Sequence, residues 1–253
     1  MKYLYVILLL LFTVPWRSFA GPVEDWQKLE MDVRDGKISR EEASLKLETL
    51  IGGLSSYYIS IVDTKDNTLL SKEEGSSGSG WAFPLKGYGV SAMSKDAFRP
   101  GIRYGPYNTK GYDFFDGNQH GGHPAHDIFI RDNNQDCLDD RTRKPVAVAV
   151  MVDCLVLETY TGWYPASKLR GGNVVWLYNP NLQMIFYYAH LDKVMVKSGQ
   201  FLKAGEFIGT IGRTGFSAYK KTSPTHLHLM VLQCQENKFK PYNYYSNLSK
   251  NPQ

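Results

Sequence analysis

Thr225-His226-Leu227-His228-Leu229-Met230-Val231-Leu232 alternates His, His and Met with Leu, Leu and Val. A period of two is the pattern of a strand, whose successive side chains point to opposite faces. On that reading His226, His228 and Met230 share one face, while Leu227, Leu229 and Val231 enter the packing layer behind it. Two histidines on one face of one strand can serve one site. The other four histidines fall in two patches: His120, His123 and His126 in the run Asn118–Asp127, and His190 in Tyr188-Ala189-His190-Leu191. Asp127 opens the apolar run Ile128-Phe129-Ile130, so it begins a strand whose Ile128 and Ile130 face the core. His123 comes from the loop that feeds this strand across Pro124. Imidazole nitrogen and carboxylate oxygen are ligand types of zinc, and a ligand at a strand start is fixed by the scaffold.

Outward from these patches the chain is a series of short β-rich runs separated by Gly, Pro, Asn and Asp. They are Val146–Val152, Cys154–Tyr160, Val174–Tyr178, Met184–Tyr188, Phe207–Ile211 and Leu227–Leu232. Strands this short, without long helical periods between them, point to a mainly β domain, an antiparallel sandwich or barrel. The N-terminal part reads differently. Trp26, Leu29 and Val33 repeat at helical spacing, Asp35-Gly36-Lys37 breaks the pattern, and Ser39 with Glu42 forms a capping box for a second helix. Gly52-Gly53 is expected to end that helix. Tyr57–Val62 then alternates like a strand, and Lys72–Gly80 reads as a flexible linker. The expected organisation is a targeting segment over 1–20, a small α-helical hairpin with its linker over 21–80, and the β domain over 81–253.

The targeting segment is inferred from Lys2, an apolar core from Tyr3 to Trp16, and the small-x-small site Ser18-Phe19-Ala20. Its apolar run falls short of the ~20 residues that span a bilayer. This predicts an exported protein, periplasmic or secreted, with no stable membrane span once the segment is cleaved. The 253 residues carry a net charge of only +4, with no basic stripe, which speaks against nucleic acid as a partner. In an oxidising compartment Cys137, Cys154 and Cys234 permit one disulfide, and Cys154 with Cys234 is a conceivable pair.

The motifs His123-Pro-Ala-His-Asp127 and His226-Leu-His228, with Tyr188–Leu191 and a run punctuated by Gly199, Gly205, Gly209, Gly212 and Gly215 between them, resemble those of the zinc-dependent M23 peptidases. These are the lysostaphin/LytM-like peptidoglycan endopeptidases. The resemblance covers roughly residues 81 to 235. It implies that His123, Asp127 and His228 ligate Zn2+, and that His190 and His226 stand beside the metal as the catalytic pair. The implied reaction is hydrolysis of peptide bonds in peptidoglycan by a zinc-activated water, with either histidine as the base. The implied partners are peptidoglycan peptides. A catalytically silent or latent relative that binds wall or activates an amidase is the alternative, and such relatives typically lose ligands that are all present here. The segment 113–120, the insertion 131–144 and the stretch 216–225 exceed a minimal family core and should wall the groove.

Several residues invite other readings. His120 is an alternative partner for His123, whereas His126 should point away from Asp127's face. Asp132–Asp140 places oxygen side chains as an EF-type calcium loop does, but Cys137 stands where glycine is needed and Arg143 where a bidentate glutamate is needed. A solvated acidic loop fits better. Tyr112, Phe114, Phe115 and Tyr188 are expected in the walls and core, with the Tyr188 hydroxyl a candidate contact to substrate.

Overall fold

The computed structural model describes residues 21–69, 80–93, 107–167, 169–235 and 238–249. The targeting segment 1–20 lies outside the described residues, as does the linker apart from its last residue, Gly80. Among the described residues no helix is long and apolar enough to cross a membrane.

Among the described residues nine strands form one antiparallel sheet: β1 (Ala125–Phe129), β2 (Ala147–Ala149), β3 (Cys154–Tyr160), β4 (Asn173–Asn179), β5 (Met184–Val194), β6 (Phe201–Leu202), β7 (Phe207–Ile211), β8 (His226–Gln235) and β9 (Lys238–Pro241). The main path runs β1-β8-β5-β4-β3-β6, with β2, β7 and β9 on side branches. The mainly β, antiparallel reading is borne out, and the sheet stays open. β3 and β7 match the runs marked in the sequence, while β5 runs further because burial continues to Leu191 and β8 because its end pairs with β9.

Strand alternation sorts the core into two layers. Leu227, Leu229 and Val231 join Ile128, Phe186 and Tyr188 on one side. Met230, Tyr178, Trp176, Ala189 and Ala125 lie on the other, where the N-terminal helices cover them. Those helices are α1 (Pro22–Arg34) and α2 (Arg40–Leu69). Pro22 sits at the start of α1, where a missing N–H matters least. Ser39 Oγ accepts the N–H of Glu42 at 3.2 Å, half of the expected capping box. Trp26 of α1 is wholly buried, edge-on to Trp176 at 5.6 Å and to Phe239 at 6.0 Å. The hairpin therefore shares the core of the sheet.

Two sequence expectations fail in α2. Gly52-Gly53 does not end the helix, and Tyr57–Val62 is helical. Leu47, Leu50, Leu54 and Tyr58 continue one buried stripe straight through the glycines. Packing along that stripe outweighs a helix penalty of about 1 kcal/mol per glycine. Cys154 and Cys234, whose pairing the sequence leaves open, are not bonded to each other, and all three cysteines are free.

A candidate metal centre in a walled groove

β1 and β8 pair with Asp127 opposite His228, which brings together two motifs a hundred residues apart. His123 reaches the same point from the loop before β1, held by backbone bonds in both directions with Asn108. One carboxylate oxygen, Asp127 Oδ1, then lies 3.3 Å from His123 Nε2, 3.0 Å from His228 Nδ1 and 3.7 Å from His226 Nε2. Burial pushes the Asp127 carboxyl up, but His226 and the hydrogen bonds from His123 and His228 outweigh it and hold the group well below its usual range. Burial lowers the His228 pKa, which favours the neutral ring that a metal requires.

His123, Asp127 and His228 offer donor atoms all within 4.8 Å of one another. Two ligands of a tetrahedral zinc, each about 2.0–2.1 Å from the ion, stand about 3.3 Å apart. The observed spacings of 3.3 and 3.0 Å to Asp127 Oδ1 fit that edge without rearrangement of the strands. A set of two imidazoles and one carboxylate leaves a fourth position open, as catalytic zinc sites do.

His190 and His226 flank the set, with ring centroids 4.9 Å apart. His190 Nδ1 lies 3.0 Å from Gly171 O and 2.8 Å from Thr214 O. His226 Nδ1 lies 2.8 Å from Pro224 O. Carbonyl oxygens only accept, so each Nδ1 donates the proton in these bonds, and in the neutral tautomer Nε2 is the acceptor. Burial holds His190 well below its normal pKa, so its ring is neutral near pH 7. His190 has a left-handed backbone, φ 66°, an uncommon conformation that turns its ring out of the run of β5. Gly215 makes room for that ring: a Cβ there would stand 2.7 Å from His190 Nδ1.

The remaining sequence candidates fall elsewhere. His126 points to the opposite face, stacks on Tyr107 at 4.9 Å and bonds to Asn243 at 2.9 Å. His120 lies in the groove wall edge-on to Tyr112, outside the set of metal donors. The Tyr188 hydroxyl is not in the groove; it sits in the opposite core layer and accepts the N–H of Met151. Tyr187, one residue earlier, lines the groove instead. The 132–140 loop is less solvated than its composition suggests. Asp132 and Asp139 are 8% and 2% exposed, and their oxygens accept backbone N–H groups. Asp132 Oδ2 also accepts from Thr225, at 2.6 Å, which ties the insertion to the residue before His226.

Around the centre opens a cavity of about 550 Å³. One wall is the segment Tyr112–Pro124, and the opposite wall comes from Tyr160, residues 169–172 and residues 216–224. Arg170 Nη1 donates to Asn118 O at 2.9 Å and ties the two walls together. Sequence reasoning missed the far end, formed by Glu30, Val33 and Arg34 of α1 with Glu158 of β3. Gly117 allows the wall to meet α1 closely, since a Cβ there would lie 2.5 Å from Val33 O.

Residues 143–241 match the model of peptidase family M23. Those residues, which hold β2 to β9, are the part of the chain that resembles that family. His190, His226 and His228 lie within the matched residues, whereas His123 and Asp127 precede them and join through β1. Lysostaphin of Staphylococcus staphylolyticus and lysostaphin of Staphylococcus simulans are each 42% identical over 67 residues, or 26% of this chain. The match spans only 12% of either relative's length. Among solved structures, a putative glycyl-glycine endopeptidase lytM from Ruminococcus gnavus is 26% identical, with a TM-score of 0.42 over 67% of this chain and 59% of its own. The lysostaphin catalytic domain from S. simulans is 24% identical, with a TM-score of 0.35 over 58% of this chain and 90% of its own.

Proposed function

We propose that this M23 chain is an exported zinc metalloendopeptidase that hydrolyses peptide bonds of bacterial peptidoglycan, in cross-links or stem peptides. The observation that carries the reading is the convergence of His123, Asp127 and His228 on one point, beside two histidines whose Nδ1 protons are committed to backbone carbonyls. His123 Nε2, Asp127 Oδ1 and His228 Nδ1 would hold the ion. Zinc there would supply Lewis-acid activation of a water and of the carbonyl under attack.

The rest of the chemistry belongs to the chain's own groups. His226 Nε2, facing Asp127, and His190 Nε2 are the two ring nitrogens beside the donors that are not taken up by a backbone carbonyl. Either can take the proton of the nucleophilic water, and the ring that gains it becomes a donor for the developing oxyanion. Their Nδ1–carbonyl bonds keep both rings in the required tautomer throughout. The side chains of His226 and Asp127 are 9% and 8% exposed, and the low local dielectric strengthens those interactions.

The test joins metal content to bond cleavage. The mature protein and His123→Ala are assayed for bound zinc and for fragments released from purified peptidoglycan, read by mass spectrometry. The reading expects about one zinc per chain, with new free amines from cut peptide bonds, both lost in the variant. Zinc bound without cleavage would favour a regulatory wall-binding role, and absence of zinc would overturn the assignment.

A further inference from the structure

The groove has an end, and α1 makes it. β3 carries a bulge: pairing with β4 slips between Val156 and Glu158, so Glu158 stands opposite Trp176. Without it Glu158 would share the face of Val156, which lies in the opposite core layer. A bulge of this kind re-aims a side chain beside a functional site. Here it turns Glu158 onto the groove face, in line with Trp176, Tyr187 and Met230 across four neighbouring strands. Three strand spacings of about 4.8 Å, with the two-residue offset from Met230 to His228 along β8, put Glu158 about 16 Å from His228. An extended peptide rises about 3.3–3.6 Å per residue, so about four to five residues bridge that distance.

At this end the charges are unequal. Arg34 Nη1 is paired with Glu30 Oε2 at 2.9 Å. Glu158 Oε2 is buried and has no hydrogen-bond partner. Its carboxyl is thus the acceptor left for whatever reaches the end of the groove. Burial and the neighbouring Glu30 push the Glu158 pKa up to about 8, so an arriving cation would also restore its ionised form.

Building on the peptidase reading, we propose that α1 and Glu158 make the groove a site for peptide chain ends, with a primary ammonium of the substrate seated on Glu158 about four to five residues from the bond that is cut. Gly117, tight against α1, and the Arg170–Asn118 bridge narrow the groove on that side, and the group expected to arrive there is a terminus or a side-chain amine.

The test is binding, which does not depend on turnover. Oligoglycine hydroxamates of one to eight residues, with the amine free or acetylated, are titrated into the zinc-loaded full chain and into Glu158→Gln. The free-amine series should bind tightest near four to five residues, about tenfold tighter than the acetylated series. Glu158→Gln should erase that preference and keep the acetylated affinities. Equal affinities for free and acetylated ligands at every length, or a preference that survives Glu158→Gln, overturns the proposal. The two readings fail separately. Peptidoglycan cleaved without an ammonium preference removes this subsite alone, and an ammonium preference without cleavage removes the peptidase reading alone.

Discussion

Asp127 is the pivot at the scale of single residues. Its Oδ1 faces three histidine nitrogens, so one carboxylate orients both the donor set and one of the two flanking bases. The division of labour can be read from Nδ1. In His228 that atom faces Asp127, whereas in His190 and His226 it is consumed by a carbonyl. His226→Ala should therefore keep zinc, because the three donors survive, and should lower kcat by about 10²–10⁴, the usual worth of a positioned acid or base. Zinc titration alongside steady-state kinetics checks both halves, and loss of the metal in this variant would place His226 among the ligands. Most of this centre was legible in the sequence, since period-two alternation settles which of His226, Leu227 and His228 share a face. The Nδ1 partners were not, because Gly171 O, Thr214 O and Pro224 O are backbone atoms that no residue type announces. Tyr187 was missed for a related reason: one step of alternation separates it from Tyr188, and only the register of β5 shows which of them meets the groove.

At the scale of elements, α1 and the β3 bulge bury two carboxyls together. Burial, partly offset for Glu30 by Arg34, raises Glu30 to about 7 and Glu158 to about 8. In the unfolded chain both titrate near 4.5. Between those limits the folded state binds more protons than the unfolded one, so this pair makes stability fall as pH rises through about 7 and about 8. The buried histidines act in the opposite sense, but only below their ordinary value of 6.5. Asp139, lowered to about 2, acts lower still. Thermal unfolding followed from pH 6.5 to 9 should therefore show a decline that is shallower in Glu158→Gln. A parallel decline in both proteins would mean that Glu158 is solvated. Neither the bulge nor the length of α2 could be read from the chain. A bulge is a mismatch between partners, and the stripe Leu47, Leu50, Leu54, Tyr58 needs a surface to cover before it outweighs Gly52-Gly53.

For the molecule as a whole, the question is whether the N-terminal hairpin is a detachable cover or part of the enzyme. The sequence sets a small helical hairpin apart from the β domain by a linker, and a prosegment would look the same in composition. The packing favours integration. Trp26 lies among Phe114, Trp176 and Phe239, Gln27 donates to Leu157 O at 3.0 Å, and Ser55 meets the hydroxyl of Tyr178 at 2.9 Å. Arg40 adds ion pairs to Asp113 and Asp116, which anchor the wall that leads to His123. Removing residues 21–79 would expose Trp176, Tyr178, Phe239 and Leu232, a contiguous apolar face of the kind that drives aggregation. It would also release the 113–120 wall from its anchor. A chain starting at residue 80 should therefore be poorly soluble or lose its cooperative unfolding transition, and its zinc affinity should fall with the loosened His123 loop. Calorimetry and zinc titration of the truncated and full chains decide the matter. A truncated chain that stays folded and cleaves peptidoglycan faster than the full chain would show the hairpin to be a removable inhibitor, and would take the chain-end subsite with it.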